Sequence, residues 1–339
     1  MSGERAYIYA KTCGIIGNSF VGKRVLSLMN VNRLAELDRL VFPEGSRELP
    51  ERELLPDLEK RIIARSIAQI ETIIGCFRNP PELLVIMLQS YEYENLKNAL
   101  AALANNEAKP SRITDIGKFR TVNFEAYPDI EGMLKNTEFA FLLNDLKESA
   151  ETLQDTIALQ TKLDKHYYTR LYTALERLSR VDRFGIEKII DNEIQLRNAS
   201  WTLRLRTYYN MPVERIKTML ITIDGKKDLT SDAIASSAFS LDAPGDWAHW
   251  KWAEFVNSEI TTPSSSYWTV DPRYFQNKAS RHLYKCAYQS FHAKPFSLLP
   301  AFCFIRLKQS EEDLLTSIAE GFGFGLSCRE TLGILGVAS

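Results

Sequence analysis

A long run of apolar residues with helical spacing, from Leu54 to Phe77, places the strongest constraint on the fold. Its apolar positions recur three or four residues apart with charged residues between them, which is the period of an amphipathic α-helix. The same period recurs along the chain, whereas the alternation typical of strands does not. The further stretches are Leu83 to Leu103, Ile130 to Leu146, Leu153 to Leu178, Phe184 to Leu205, Val213 to Leu220, Tyr274 to Phe291 and Ala301 to Ile318. An all-α fold is predicted.

Prolines stand where these helices should begin or end, as at Pro80-Pro81 and Leu299-Pro300, so most loops are expected to be short. Ser111 to Pro128 is longer and is interpreted as a domain linker, and Ser258 to Pro272 as an insertion. The β-branched stretch Met219 to Gly225 fits a short strand or a helix end capped by glycine. The helix end is favoured because no second strand is near enough to pair with it.

Composition indicates a globular protein without a general affinity for polyanions. The 339 residues are 45% hydrophobic, with 42 basic and 43 acidic residues and a net charge of −1. Such a chain can bury apolar surface in two or three domains. The balanced charge does not favour nucleic acid or an anionic membrane surface, so partners must be inferred from shape and local patches.

The cysteines indicate a reducing compartment. Five of them are scattered without a C-x-x-C pair, which argues against a disulfide framework or a zinc site and favours the cytoplasm. No leader segment is recognisable, and no apolar stretch approaches the roughly 18 residues that cross a bilayer. We therefore expect any membrane attachment to be peripheral and to go through another protein.

Two glycine motifs resemble nucleotide-binding sequences but lack essential parts. Gly17 to Lys23 has the spacing of a phosphate-binding loop, yet Arg24 replaces the magnesium-binding hydroxyl residue and no buried strand precedes it. A structural turn is favoured there. In Gly321 to Gly325 the glycines occupy every second position after a helix, which favours a helix end. The histidines His166, His249, His282 and His292 show no metal-binding spacing, so no cofactor and no metal are expected.

Two aromatic segments leave alternatives open. Trp247, Trp250 and Trp252 could anchor a partner, although core packing is favoured. The stretch Trp201 to Tyr209 is basic and aromatic, but acidic residues precede it on the same predicted helix. Internal ion pairing is therefore favoured over RNA binding.

Three segments together resemble the C-subunit family of the V-type and A-type ATPases, whose eukaryotic members are called d subunits. The first, Leu84 to Leu100, contains Tyr91-Glu-Tyr-Glu-Asn95-Leu-Lys97. The second, Asp191 to Arg206, carries Asn198 and Arg204. The third, Pro300 to Leu326, combines Lys308 and Glu311 with a leucine pair, an isoleucine and closing glycines. The family commonly has an arginine where this chain has Lys11, and a Lys-Glu pair where it has Lys308-Gln309.

The resemblance implies an all-α funnel of three similar helical-bundle domains around a pseudo-threefold axis. Dividing the chain by three gives about 113 residues per unit, in line with the usual size of small domains. The expected domains are residues 1–115, 116–226 and 227–339.

The resemblance also implies a non-catalytic subunit of the central stalk, or rotor, of a rotary ATPase. Such a subunit seats the central shaft on the membrane rotor ring and couples ATP hydrolysis or synthesis to H⁺ or Na⁺ transport. The implied partners are the central-shaft subunits and the rotor-ring subunit, with no nucleic acid. The alternatives are a soluble helical scaffold with no membrane link, and a nucleotide-binding enzyme using residues 17–23.

Seven polar residues in the three segments are candidates for interface contacts or for packing between helices. Packing is favoured, because polar groups on packed helices usually satisfy neighbouring helix ends. The alternative is that some of the basic side chains line the funnel and meet acidic groups of the shaft. The seven are Asn95, Lys97, Asp191, Asn198, Arg204, Lys308 and Glu311.

Overall fold

Long helices joined by turns and short 3₁₀ segments make up the computed structural model, which describes residues 2–144, 153–223, 227–256 and 269–337. These ranges contain no strand, so the all-α prediction is confirmed for them. In order, the helices are α1 (Ser2–Gly17), α2 (Leu34–Val41), α3 (Glu51–Ile74), α4 (Glu82–Ala104), α5 (Ile130–Leu134), α6 (Leu153–Glu176), α7 (Arg180–Tyr209), α8 (Val213–Met219), α9 (Ser231–Ser236), α10 (Pro244–Trp247), α11 (Pro272–Ser290), α12 (Leu299–Gly323) and α13 (Cys328–Ile334). The 3₁₀ helices are Gly22–Asn30, Gly117–Phe119, Phe124–Ala126 and Ala253–Phe255.

One predicted helix is wrong over most of its length. The stretch Ile130 to Leu146 begins as α5, but this helix ends at Leu134 and turns occupy residues 135–141, with Asn136 in the left-handed region at φ 68°. The buried Phe139 reaches the core from these turns, so apolar spacing arose there without a helix. Residues 145 and 146 lie outside the described ranges.

The segment after α8 is neither of the two structures considered for it. The helix ends at Met219, and Leu220 is extended with φ −78° and ψ 149°, so the favoured helix is wrong for residues 220–223. The extended backbone pairs with a side chain rather than with a strand, as described below. Gly225 and most of the 258–272 insertion, up to residue 268, lie outside the described ranges.

The segment Ser111 to Pro128 packs closely against the helices. It contains two 3₁₀ helices and a cis peptide bond before Pro128. Ile116 and Val122 are completely or almost completely buried.

Three apolar clusters form the core. The largest draws mainly on α1, α3, α4, α6, α7 and α12, and the second joins α7 to the tryptophan-rich segment and α11. The third packs residues 20–62 against residues 315–332. Residues far apart in the sequence therefore share each cluster, and none of the described helices is long and apolar enough to span a membrane.

Helices α7 and α12 run parallel. Leu299 packs on Gly185 near the start of both helices, where a Cβ added to the glycine would lie 3.0 Å from Leu299 Cδ2. Further along both, Arg306 Nη2 lies 2.5 Å from Glu193 Oε2.

The start of α4 lies at the same end of the molecule as the starts of α7 and α12. Glu4, on α1, accepts a hydrogen bond from the backbone N–H of Arg78, just before α4, at 2.7 Å. The adjacent Arg5 binds Asp182 at the start of α7 at 2.6 Å. Further along, Tyr91 of α4 donates to Glu312 of α12 at 2.6 Å.

Candidate functional site

An open polar cavity lies beyond the starts of these parallel helices, along the later parts of α4, α7 and α12. It has a volume of about 440 Å³ and adjoins a second cavity of about 400 Å³. Residues from α6 and α11 complete the walls. We call the two together the central cavity; both parts are lined by Glu94, Asp164, Glu193, Arg197, Ser280 and Leu283.

Charged side chains of both signs alternate along its walls. Lys97 Nζ lies 2.8 Å from both Glu94 Oε1 and Asp164 Oδ1, and Arg197 reaches the same Asp164 oxygen at 3.3 Å. These contacts join α4, α6 and α7. The ion pair between Arg306 and Glu193 adds α12. Such a wall offers polar contacts to a partner of mixed charge.

Two carboxyl groups on α12 stand where protein surrounds them on most sides. Burial raises the pKa of Glu312 to about 7, although the hydrogen bond from Tyr91 opposes this shift. Asp313 opens into the cavity, yet desolvation raises its pKa to about 6. Both pKa values rise because a partly dehydrated site disfavours the charged carboxylate.

Arg204 lines the second part of the cavity and remains exposed. Its guanidinium carbon lies 5.9 Å from the ring centroid of Trp201 on the same helix, a cation–π arrangement. Internal ion pairing is wrong for Arg206, which donates to the backbone carbonyls of Ser236 and Phe239 instead of to an upstream carboxylate.

The two predicted asparagines are buried and hold extended backbone. Asn95 Oδ1 accepts from Thr114 N–H, and its Nδ2 donates to Thr114 C=O, both at 2.7 Å. Asn198 makes the same pair with Ile221 at 2.7 and 2.9 Å and also donates to the carbonyl of Leu229 at 3.1 Å. Both residues border the central cavity.

The predicted pair Lys308 and Glu311 lies in the interior, away from the cavity lining. Lys308 donates to Glu311 and, at 3.1 Å, to Ser19 Oγ. Glu311 Oε1 accepts from the backbone N–H of Phe20 at 2.7 Å, with Arg65 at 3.5 Å. Burial lowers the pKa of Lys308, and Glu311 opposes that shift. This pair therefore ties α12 to the turn after α1.

The remaining candidates are Asp191, Lys97 and Arg204. Asp191 is buried, accepts from Tyr172 OH and forms an ion pair with Lys227 at 2.9 Å. It does not line the cavity, whereas Lys97 and Arg204 do. The structure thus brings Asn95, Lys97, Asn198 and Arg204 to the cavity, and Asp191, Lys308 and Glu311 to helix contacts elsewhere.

Sequence reasoning missed the other charged residues of the cavity. Glu193 and Arg197 are four residues apart, and Arg306 and Asp313 are seven apart, so each pair occupies one face of its helix. A polar face on an otherwise buried helix was the available signal.

The other motifs have structural roles. Gly17 ends α1 and Gly22, at φ 61°, begins a 3₁₀ helix, so residues 17–23 form the predicted turn. Gly325, at φ 77°, follows the end of α12. The tryptophans at 247, 250 and 252 are 2 to 5% exposed, and Trp250 stacks on Phe275 at 5.5 Å, which fits core packing.

His166 also belongs to the packed interior, where its Nδ1 lies 2.8 Å from Tyr93 OH. Burial, aided by the charge of Arg170, lowers its pKa to about 4. Within the described ranges, no group of three or more histidine, cysteine or acidic residues is arranged to hold a metal ion.

A family model described as ATP synthase (C/AC39) subunit matches residues 46–331. The chain belongs to this family. The match covers the cavity walls, so α4, α6, α7, α11 and α12 are all part of the family's common region.

Relatives of this AC39 family member occur in bacteria and archaea. An uncharacterized protein of Treponema pallidum (strain Nichols) is 24% identical over 331 residues, covering 93% of this chain and 91% of the relative. The C subunit of the A-type ATP synthase of Methanosarcina barkeri is 22% identical over 254 residues, covering 72% and 67%. Its counterpart in Methanosarcina mazei gives the same identity and coverage.

Proposed function

We propose that this chain is a non-catalytic central-stalk subunit of a V/A-type rotary ATPase. It seats the central shaft on the membrane rotor ring and couples ATP hydrolysis or synthesis to H⁺ or Na⁺ transport. It is peripheral to the membrane on the cytoplasmic side, within a membrane complex, and its partners are the shaft subunits and the rotor-ring subunit.

The central cavity is the observation that carries this proposal. It is open, bordered by long parallel helices, and lined by alternating charges that already pair with one another. Such a wall suits the end of a protein shaft, since long packed helices resist bending and broad polar surfaces give orientation. Membership of the ATP synthase (C/AC39) subunit family and the likeness to the archaeal C subunits support the same assignment.

The three-domain division into residues 1–115, 116–226 and 227–339 belongs to this proposal. Its support is a repeated arrangement on α4, α7 and α12. One polar side chain on each, Asn95, Asn198 and Glu311, accepts from the backbone N–H of Thr114, Ile221 and Phe20, respectively. The first two are 103 residues apart and the last two 113 apart, close to one third of the chain.

Deletion tests coupling directly. In membranes lacking the chain, ATP hydrolysis by the head should persist while ATP-driven ion transport is lost. Retained transport with full inhibitor sensitivity would refute the proposal. Recovery of only soluble partners with the tagged chain would instead support the scaffold alternative.

Charge reversal tests the cavity. Arg204→Glu combined with Asp313→Arg should reduce recovery of shaft subunits with the tagged chain, because both residues open into the cavity. Arg33→Glu, an exposed arginine outside the cavity lining, is the matched control and should leave recovery unchanged. Equal recovery from both variants would contradict shaft seating in this cavity.

A further inference from the structure

One end of the molecule carries protruding apolar side chains among cations. At the start of α7, Val181 and Phe184 are 64 and 71% exposed, and Phe296, in the loop before α12, is 66% exposed. Lys294 Nζ lies 4.4 Å from the centroid of the Phe184 ring, which brings this loop beside the helix. These apolar groups therefore share one surface.

The cations of this surface lack acidic partners. Arg180 and Lys188 lie four residues before and after Phe184, on the same helix face. Neither they nor Lys294 forms an ion pair with a described carboxylate. The nearby carboxylates are already engaged: Asp182 by Arg5 at 2.6 Å, and Glu187 by Arg183 at 3.0 Å. A local positive excess therefore exists on a chain whose net charge is −1.

We propose that this aromatic-basic face, formed by Arg180, Val181, Phe184, Lys188, Lys294 and Phe296, binds an anionic lipid bilayer directly. Protruding rings among cations have the chemistry of a membrane-surface contact, in which rings enter the headgroup boundary and cations meet lipid phosphates. The rings project outward, and the fluid interior of a bilayer accepts them without a preformed pocket. The starts of α4, α7 and α12 gather at this end and add the positive ends of three helix dipoles.

The position of the face suits this contact. Phe184 precedes Arg204, in the central cavity, by 20 residues on one helix, or about 30 Å at 1.5 Å per residue. If the cavity receives the shaft, as proposed above, the aromatic-basic face points toward the membrane. Only this orientation rests on the proposed function; lipid binding itself can be measured on the isolated full-length chain.

Co-sedimentation with vesicles tests the inference. The full chain should bind vesicles of phosphatidylcholine with phosphatidylserine and not vesicles of phosphatidylcholine alone. The double variant Phe184→Ser/Phe296→Ser should bind at least about tenfold more weakly, given the transfer free energy of two aromatic rings. The triple variant Arg180→Gln/Lys188→Gln/Lys294→Gln should bind about a hundredfold more weakly, at roughly tenfold or less per cation.

Phe324→Ser is the matched control, because Phe324 is 84% exposed and follows the opposite end of α12. It should bind vesicles as the unmodified chain does. Absence of binding by the unmodified chain, or equal binding by the double serine variant, would overturn the inference. Since the variants change exposed residues, unaltered circular dichroism should accompany the loss of binding.

A photoreactive phenylalanine analogue at position 184, used in whole membranes, separates lipid from protein. Attachment to lipid supports the inference, whereas attachment to another protein overturns it and assigns the face to an acidic protein partner. Co-purification of the chain with the ATPase is measured separately, so failure of lipid binding and failure of the rotor assignment are distinguishable.

Discussion

The side-chain amide of Asn198 holds the backbone of Ile221 at both its N–H and its C=O, as a neighbouring strand would. Asn95 holds Thr114 in the same way on another long helix. In both cases, extended backbone that lacks a strand partner is satisfied by an amide from a buried helix face. The cost of leaving such groups unpaired makes these asparagines central to local stability.

Asn198→Ala should lower the free energy of unfolding by about 2–4 kcal/mol, because three buried hydrogen bonds are lost together. Urea unfolding followed by circular dichroism measures the change. Asn98→Ala is the control, since Asn98 is half-buried and makes a single contact of 3.5 Å with the carbonyl of Arg112. Its cost should be within about 0.5 kcal/mol, and similar costs for both variants would contradict the role assigned to Asn198.

Lys308→Met should destabilise the fold by about 3–5 kcal/mol, because it leaves Glu311 buried without its closest cation. The exposed pair of Glu214 and Lys217 has the same three-residue spacing. Lys217→Met should therefore cost less than about 1 kcal/mol. Urea unfolding of both variants makes the comparison, and a small effect at Lys308 would show that Glu311 does not need this partner.

Stability should fall as pH rises through the range set by Glu312. Its pKa is about 7 in the fold against 4.5 ordinarily, so the folded state binds the extra proton between these values. This contribution is complete below about pH 4.5 and is lost as pH rises through 7, by up to about 3 kcal/mol. Asp313, with a pKa of about 6, acts in the same direction.

Glu312→Gln keeps an acceptor for Tyr91 and removes the charge. Unfolding free energies of this variant and the unmodified chain should be closest at pH 5 and should separate in favour of the variant at pH 8. Parallel pH profiles would show that Glu312 titrates normally.

Gly22→Ala and Gly14→Ala should change stability in opposite directions. Gly22 has φ 61°, and an added Cβ would lie 2.7 Å from Tyr288 OH, so alanine should cost about 1–3 kcal/mol. Gly14 lies inside α1 with nothing within 4 Å of an added Cβ. Alanine there should stabilise by about 0.5–1 kcal/mol. Thermal unfolding of the pair gives the comparison; a shift of the same sign in both would contradict it.

Helical periodicity predicted the long helices because each keeps one apolar face against the core. The stretch Leu54 to Phe77 corresponds to α3 at Glu51–Ile74, and Leu83 to Leu103 to α4 at Glu82–Ala104. Periodicity did not single out α1, which carries Gly3, Gly14 and Gly17 and combines weak helix propensity with small apolar contrast.

The site was less predictable because its contacts join distant segments. Lys97 and Glu94 could be paired from their spacing, but Asp164 lies 67 residues from Lys97. Glu311 binds the backbone of Phe20, which is 291 residues away. No local pattern encodes such partners; what the sequence offers is only the helix face from which each polar group projects.

The third apolar cluster has a consequence for synthesis of the chain. Leu28, Leu37 and Leu58 are fully buried, and they share this cluster with Leu315 and Leu332. During translation the first three leave the ribosome long before the other two. The nascent chain must therefore carry an exposed greasy surface through most of its elongation. Chaperone protection of residues 20–62 is a requirement that follows from the closing of the chain's late segment onto its early one.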